Sequence, residues 1–416
     1  MINKEFKTKV RQETGSTSMD TVTRVRGLRN VVVIAACLAV CMISLGCEKE
    51  KPKPKDAVEL TSPITENKTL KDLGLPIDYY FNGDVLEVKN NAILTIEDSV
   101  TIQFRSANGS LFVTDGATIK ALGTAEKRIQ FIGASNAKGS WHGVYVETMT
   151  DNQFVYCDFL NAGIDRVNCA ALYLLHAKAS ITNCKFTNGS GYGLYVHNYA
   201  GDVQLTAFNN NVFENFDLPP VYIYNSNLKQ LEKFDMTSDF SKNAKAYIEL
   251  HRPEMDGNVT INQTTVPFYF DSSPLDINHT LTINEGVTIY MRGWFGGIPY
   301  ADGRLMINGT AARKVKITRL PGETDNWDCI DGTWLAGSVI KHCILEYGGE
   351  FEIHGVIFAP GGTDLTLENV EFKNSKTYDG VIPYSTNCII RHNNITYSRP
   401  TGNIWFHDDT LLDAFP

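Results

Sequence analysis

Amphipathic helical periodicity is nearly missing from this 416-residue chain; the run at 225–234, NSNLKQLEKF, is the one modest exception. Helical bundles and doubly wound α/β folds are therefore excluded. Cysteine pairing is missing too. Six Cys follow residue 47 (Cys157, Cys169, Cys184, Cys329, Cys343 and Cys388), with no CxxC and no Cys/His pair at metal spacing. Neither a disulfide framework nor a zinc site is implied. Charge is sparse at 20% of residues, with a net −9 and no basic stripe, which argues against a nucleic-acid partner. No phosphate-cradling glycine loop and no nucleophile elbow occur. The longest apolar run, 31–47, holds about fifteen apolar residues where roughly twenty are needed to cross a bilayer. What the chain does have is 43% hydrophobic residues, enough for a core, and a supply of Gly, Asn and Thr typical of many-turned β proteins.

The N-terminus carries an address. A basic stretch at 23–30 precedes the short apolar run, which ends in small residues before a cysteine. That sequence of regions makes a secretory signal. Ser44-Leu45-Gly46-Cys47 resembles the lipobox of bacterial lipoproteins. The resemblance implies that residues 1–46 are a signal peptide and that Cys47 becomes the lipidated mature N-terminus. Met19 is an alternative start, because residues 1–18 would make the basic region unusually long. The run EKEKPKPKD that follows alternates charge with proline and cannot pack, so 47–74 is expected to be a flexible tether. Acidic residues beside the lipidated Cys resemble a surface-export signal of Gram-negative lipoproteins. The implied place is the bacterial outer membrane, lipid-anchored at the cell surface, with its periplasmic face as the alternative.

Beyond the tether the sequence repeats itself. FVYCDFLN (154–161), ITNCKFTN (181–188) and FNNNVFEN (208–215) stand 27 residues apart. Strand-length apolar pieces separated by turn residues lie between them, which points to β structure. A period near 27 suits one coil of a parallel β-helix, whose coils bury their inner faces only by stacking. Successive coils rise by one strand spacing, roughly 4.8 Å. Phe159, Phe186 and Phe213 are then predicted to form an internal column, Cys157, Cys184 and Asn211 a second, and Asn161, Asn188 and Asn215 an amide ladder at a turn. Asp158 and Lys185 take corresponding outward positions and read as a cross-strand charge pair. The second half repeats the first at an offset near 187: LTIEDSVTI (94–102) returns as LTINEGVTI (281–289), and GTAEKRIQF (123–131) as GTAARKVKI (309–317).

These phrases, with the Trp-centred segment after them, resemble the right-handed parallel β-helix modules of bacterial surface and secreted proteins, which are similar in shape to the pectate-lyase superfamily. The resemblance covers roughly 75–217 and 265–400. It implies an all-β, right-handed, single-stranded parallel β-helix of about 12 coils, internally duplicated. The halves are assigned to 75–217 and 267–416, with 218–266 as a bridging segment.

Chemistry is harder to read. The best acidic cluster is Glu323, Asp325, Asp328 and Asp331, and its three aspartates have no counterpart in the first half. Calcium, the one cofactor the sequence raises, wants several hard oxygens; a solvated turn is the plainer reading, since a spacing of three does not put carboxylates on one strand face. Trp294 and Trp334 lie in non-repeated segments and are the first candidates for stacking on sugar rings. Trp141 and Trp327 recur between halves and read more simply as scaffold. Tyr195, Tyr222 and Tyr224 are further aromatic candidates if one face exposes them. No catalytic residue is assigned. The expected function is that of a surface lipoprotein binding polysaccharide or another extracellular macromolecule, non-catalytically. A polysaccharide lyase or glycoside hydrolase, and a structural adhesin or spacer, are the alternatives.

Overall fold

The structure, a computed structural model, describes residues 56–398 apart from 165–168, 198–202, 225–227, 272–274, 298–302, Trp334, 351–354, 377–379 and 384–386. It also describes the short strands Ile404–Trp405 and Leu411–Leu412. Cys47 and residues 1–46, the expected signal peptide, lie outside the described residues.

Short strands alternating inward apolar and outward polar residues, as in Ile93–Ile96 with Leu94 and Ile96 buried, wind into an all-β parallel solenoid of about 11 turns. Among the described residues the only helix is a 3-10 turn, Leu228–Lys233, where the sequence shows its weak helical pattern. One apolar core runs through the stack from Leu60 to Val381. Its columns follow the repeat. Ring centroids of Phe131, Phe159, Phe186, Phe213 and Phe240 succeed one another at 5.1, 4.6, 4.4 and 5.2 Å. Cys157 and Cys184 are fully buried free thiols, and Asn211 continues their column. The buried Asn211 is satisfied there: its Nδ2 donates to the Ile181 carbonyl at 3.0 Å and its Oδ1 accepts from the Cys184 amide at 3.0 Å.

The predicted amide ladder is present. Asn188 Nδ2 donates to Asn161 Oδ1 at 2.5 Å, and Asn215 Nδ2 to Asn188 Oδ1 at 2.8 Å. All three residues take positive φ, 59°, 65° and 63°, a conformation asparagine tolerates better than other side-chain-bearing residues. The expected Asp158–Lys185 pair is replaced. The two are in register, yet Asp158 Oδ1 accepts from Arg128 Nε at 2.7 Å, and the same guanidinium donates to the Asn183 carbonyl at 2.8 Å. The fixed planar fork of the guanidinium meets the carboxylate and the carbonyl together, and so takes the place of the Lys185 ammonium.

Three faces make the first part. Face 1 stacks eight strands from Val58–Glu59 to Asp239–Lys242. Face 2 starts at Val85–Val88 and face 3 at Lys68–Leu70. Packed coil thus begins well inside 47–74, because Val58–Glu59 pairs with Tyr79–Phe81 and Lys68–Leu70 with Ile93–Ile96. The segment 218–266 is likewise coil rather than a link: Val221–Tyr224, Ile248–His251 and Val259–Ile261 all pair within the stack.

At that segment the cross-section changes. Face 1 stops at Asp239–Lys242, and a fourth face starts at Leu275–Ile277 and continues to Val381–Pro383. Faces 2 and 3 run on and share strands: Ser338–Glu346 and Asp364–Lys373 each bend around a corner, at His342 (φ 45°) and Asn369 (φ 54°). Strand positions recur between halves, Ile93–Ile96 beginning 187 residues before Thr280–Asn284 and Ala170–Leu175 the same distance before Ile357–Ala359. For the strands of faces 1 and 2 the recurrence is displaced by one face, however. Gly143–Val146 lies on face 2, whereas its counterpart Ile330–Asp331 lies on face 4.

Candidate functional site on face 2

The tripeptide apolar-Tyr-apolar recurs along the chain: 144–146 (VYV), 172–174 (LYL), 194–196 (LYV), 221–223 (VYI), 268–270 (FYF) and 289–291 (IYM). In a strand the flanking residues face the core and the tyrosine faces out. Register stacks these tyrosines on the outside of face 2: Tyr145 on Tyr173, Tyr195 and Tyr222, then Tyr269 on Tyr290. Ile248-Glu249-Leu250 breaks the series, putting Glu249 between Tyr222 and Tyr269. Sequence reasoning reached Tyr195, Tyr222 and Tyr224, but missed the tripeptide and with it Glu249.

The lower part of the ladder is a packed aromatic column. Phe112, Tyr145, Tyr173 and Tyr195 stack with centroids 4.6, 5.1 and 4.7 Å apart. Tyr173 and Tyr195 are buried although they point away from the core, because Ala170, Tyr192, Tyr222 and Tyr224 close around them as a satellite cluster. Burial pushes the Tyr173 phenol up to about 12 and the Tyr195 phenol higher still. The hydroxyl of Tyr173 lies 2.6 Å from His197 Nδ1. Rings stacked this way turn their faces to one another, leaving edges and hydroxyls for a ligand.

Above the break the face opens. Two adjoining depressions, of about 420 and 440 Å3, share Tyr290, Leu320 and Pro321. One reaches back to Lys245 and Tyr247, the other forward to Thr318, Glu346 and Tyr347. Together they cross the strands from Ile248–His251 to Ser338–Glu346, about 19 Å at the strand spacing. The segment 319–323 forms one wall.

Just beyond the lower end of this groove, Glu249 is half-buried and has no hydrogen-bond partner among the described residues. Desolvation, with the nearby Asp271 charge adding to it and Lys245 opposing it, pushes its carboxyl up to about 7. Asp271 sits on the next strand, two positions along, which places its Cα about 8 Å from that of Glu249. Its Oδ1 accepts from the Tyr269 hydroxyl at 3.2 Å, with Arg292 Nη1 at 3.6 Å; His251 Nδ1 lies 3.6 Å from Oδ2.

Of the acidic and tryptophan residues singled out in sequence, Glu323 lines the groove and the others fall elsewhere. Trp141 and Trp327 are fully buried. Their indole N–H groups donate to equivalent carbonyls of the two halves, Leu160 at 2.9 Å and Glu346 at 2.8 Å, and Trp141 stacks on Phe104 at 4.5 Å. Neither offers a ring face to a sugar. Trp294 is half-buried just before the face 4 strand Phe295–Gly297; Trp334 lies outside the described residues. Asp325, Asp328 and Asp331 do not gather into a calcium cage. Asp331 is occupied by the amide and hydroxyl of Thr333 at 2.9 and 2.5 Å, Asp325 is exposed, and no three His, Cys, Asp or Glu side chains among the described residues meet at metal-binding distance. Spacing of three alternates strand faces, and the strand here is only Ile330–Asp331.

Compared with protein families, with curated proteins and with solved structures, the chain matches none.

Proposed function

We propose that this chain is a lipid-anchored surface protein whose β-helix, right-handed and of the pectate-lyase-like type, binds polysaccharide non-catalytically along the groove of face 2. The observation that carries the reading is the groove itself. It is elongated, runs across the sheet, and is floored by Tyr290 and Thr318 with charged groups at both rims. Aromatic edges pack against the C–H faces of sugars while hydroxyls and carboxylates take the sugar hydroxyls. The signal segment and Cys47 support export and anchoring.

One feature favours a second reading, that of a glycoside hydrolase. A carboxyl held near neutrality beside another carboxylate is the pairing such chemistry uses, one group protonating the leaving oxygen and the other acting from the opposite side. A single experiment separates the two. The chain is incubated with a polysaccharide panel, and both retention and new reducing or unsaturated ends are measured. Retention without new ends, lost in Tyr290→Ala, is the expected outcome. New ends that vanish in Glu249→Gln would establish the hydrolase instead. For the anchor, fatty-acid labelling should be lost in Cys47→Ser; labelling that persists would refute lipidation there.

A further inference from the structure

We infer that the face 2 groove is built for an uncharged glycan and discriminates against acidic ones; the inference rests on the binding reading above and adds the ligand class. A polyanion needs cations free to meet it, and here three of the four cations at the groove are engaged. Lys316 Nζ lies 2.7 Å from Glu346 Oε2. Arg292 lies 3.6 Å from Asp271 and is also drawn to Glu323. Arg319 donates to the Thr324 carbonyl at 2.7 Å and lies 4.0 Å over the Tyr347 ring. Lys245, exposed at the far end, has no ion pair among the described residues and only feels the Glu249 charge. Lys316, Arg292 and Arg319 therefore each have an acidic or carbonyl partner that an anionic ligand would have to displace.

The carboxylates point the same way. Glu323 and Glu346 line the groove and Asp271 stands just beyond its lower end, so a bound carboxylate would meet like charge along it. Like-charge juxtaposition at an interface costs several kcal/mol, which is how natural sites reject wrong partners. The chain as a whole, at net −9, repels a polyanion before contact. An uncharged chain of sugars suffers none of this. Its hydroxyls donate to the same carboxylates and accept from Tyr and Thr hydroxyls, and its C–H faces lie on the ring edges of Tyr290 and Tyr247.

The test uses the full chain in detergent, titrated calorimetrically with two series. One is neutral (cello-, xylo-, manno- and malto-oligosaccharides), the other acidic (oligogalacturonates and oligoalginates), each at low and at physiological salt. At least one neutral series should bind at least about tenfold more tightly than either acidic one, a 1.4 kcal/mol difference. That binding should be weakened at least about tenfold by Tyr290→Ala. Glu346→Gln, which releases Lys316, should raise acidic affinity several-fold. An acidic series that binds as tightly as the neutral ones, in a Tyr290-dependent and salt-sensitive way, overturns the inference while leaving glycan binding intact. Neutral binding indifferent to Tyr290→Ala places the site elsewhere and overturns it also. Failure of both series to bind removes the binding reading and the inference together.

Discussion

Replacing Glu249 with Gln tests the electrostatics of the groove without any ligand. Tyr222 and Tyr269 stand on either side of this carboxyl, with Tyr247, Asp271 and Lys245 around it. Burial raises it from an ordinary 4.5 to about 7. A raised acid binds a proton in the folded chain that the unfolded chain has already released, so stability present below the ordinary value is lost progressively as pH climbs to about 7. At about 1.4 kcal/mol per pH unit that interval bounds the loss near 3 kcal/mol, and water reaching a half-buried group reduces it to about 2. Gln keeps the shape and never ionises. The Gln variant should therefore melt with the wild type at pH 4 and above it at pH 8.5. With roughly 2.1 cal/mol/K of unfolding entropy per residue over some 350 packed residues, about 2 kcal/mol corresponds to about 3 °C. Melting curves across that pH range check it. A difference that is constant with pH, or a wild type that gains on the variant as pH rises, would refute the assignment of a desolvated acid at this position.

Phe186 is sandwiched between Phe159 and Phe213, so Phe186→Ala leaves a void no neighbour can fill and should cost about 3–5 kcal/mol in denaturant unfolding. Asn188 combines a φ of 65° with the amide ladder; Asn188→Gly should cost about 1 kcal/mol for the lost amide bonds, and Asn188→Ala more, because alanine adds backbone strain. Arg128→Met should destabilise by about 2–3 kcal/mol through the unpaired Asp158, while Lys185→Met should stay within about 0.5. Equal effects of those two substitutions would restore the pairing expected from register alone.

What the sequence made readable is whatever stacking forces to repeat. Phe159, Phe186 and Phe213 must match because each packs on the next; Asn161, Asn188 and Asn215 must match because one backbone turn recurs in every coil. Trp141 and Trp327 were marked as scaffold by recurrence, and their identical hydrogen bonds explain it. Outward residues escape that constraint. Glu249 interrupts a tyrosine series without disturbing the core, so neither period nor composition flags it, and Asp271 and Arg292 join it only through the register of face 2. The one-face displacement was hidden for a different reason. Offsets in sequence count residues along a coil and say nothing of which wall a strand joins, and the wall is decided where Phe268–Asp271 pairs with Ile248–His251.

That displacement has a consequence for where binding can arise. Because face 1 gives out at Asp239–Lys242 and face 4 takes over at Leu275–Ile277, the groove straddles the seam, drawing Lys245 and Tyr247 from below it and Tyr290 and Glu346 from above. Severed there, each fragment would keep coils of its own, yet the surface offered to a glycan would exist on neither.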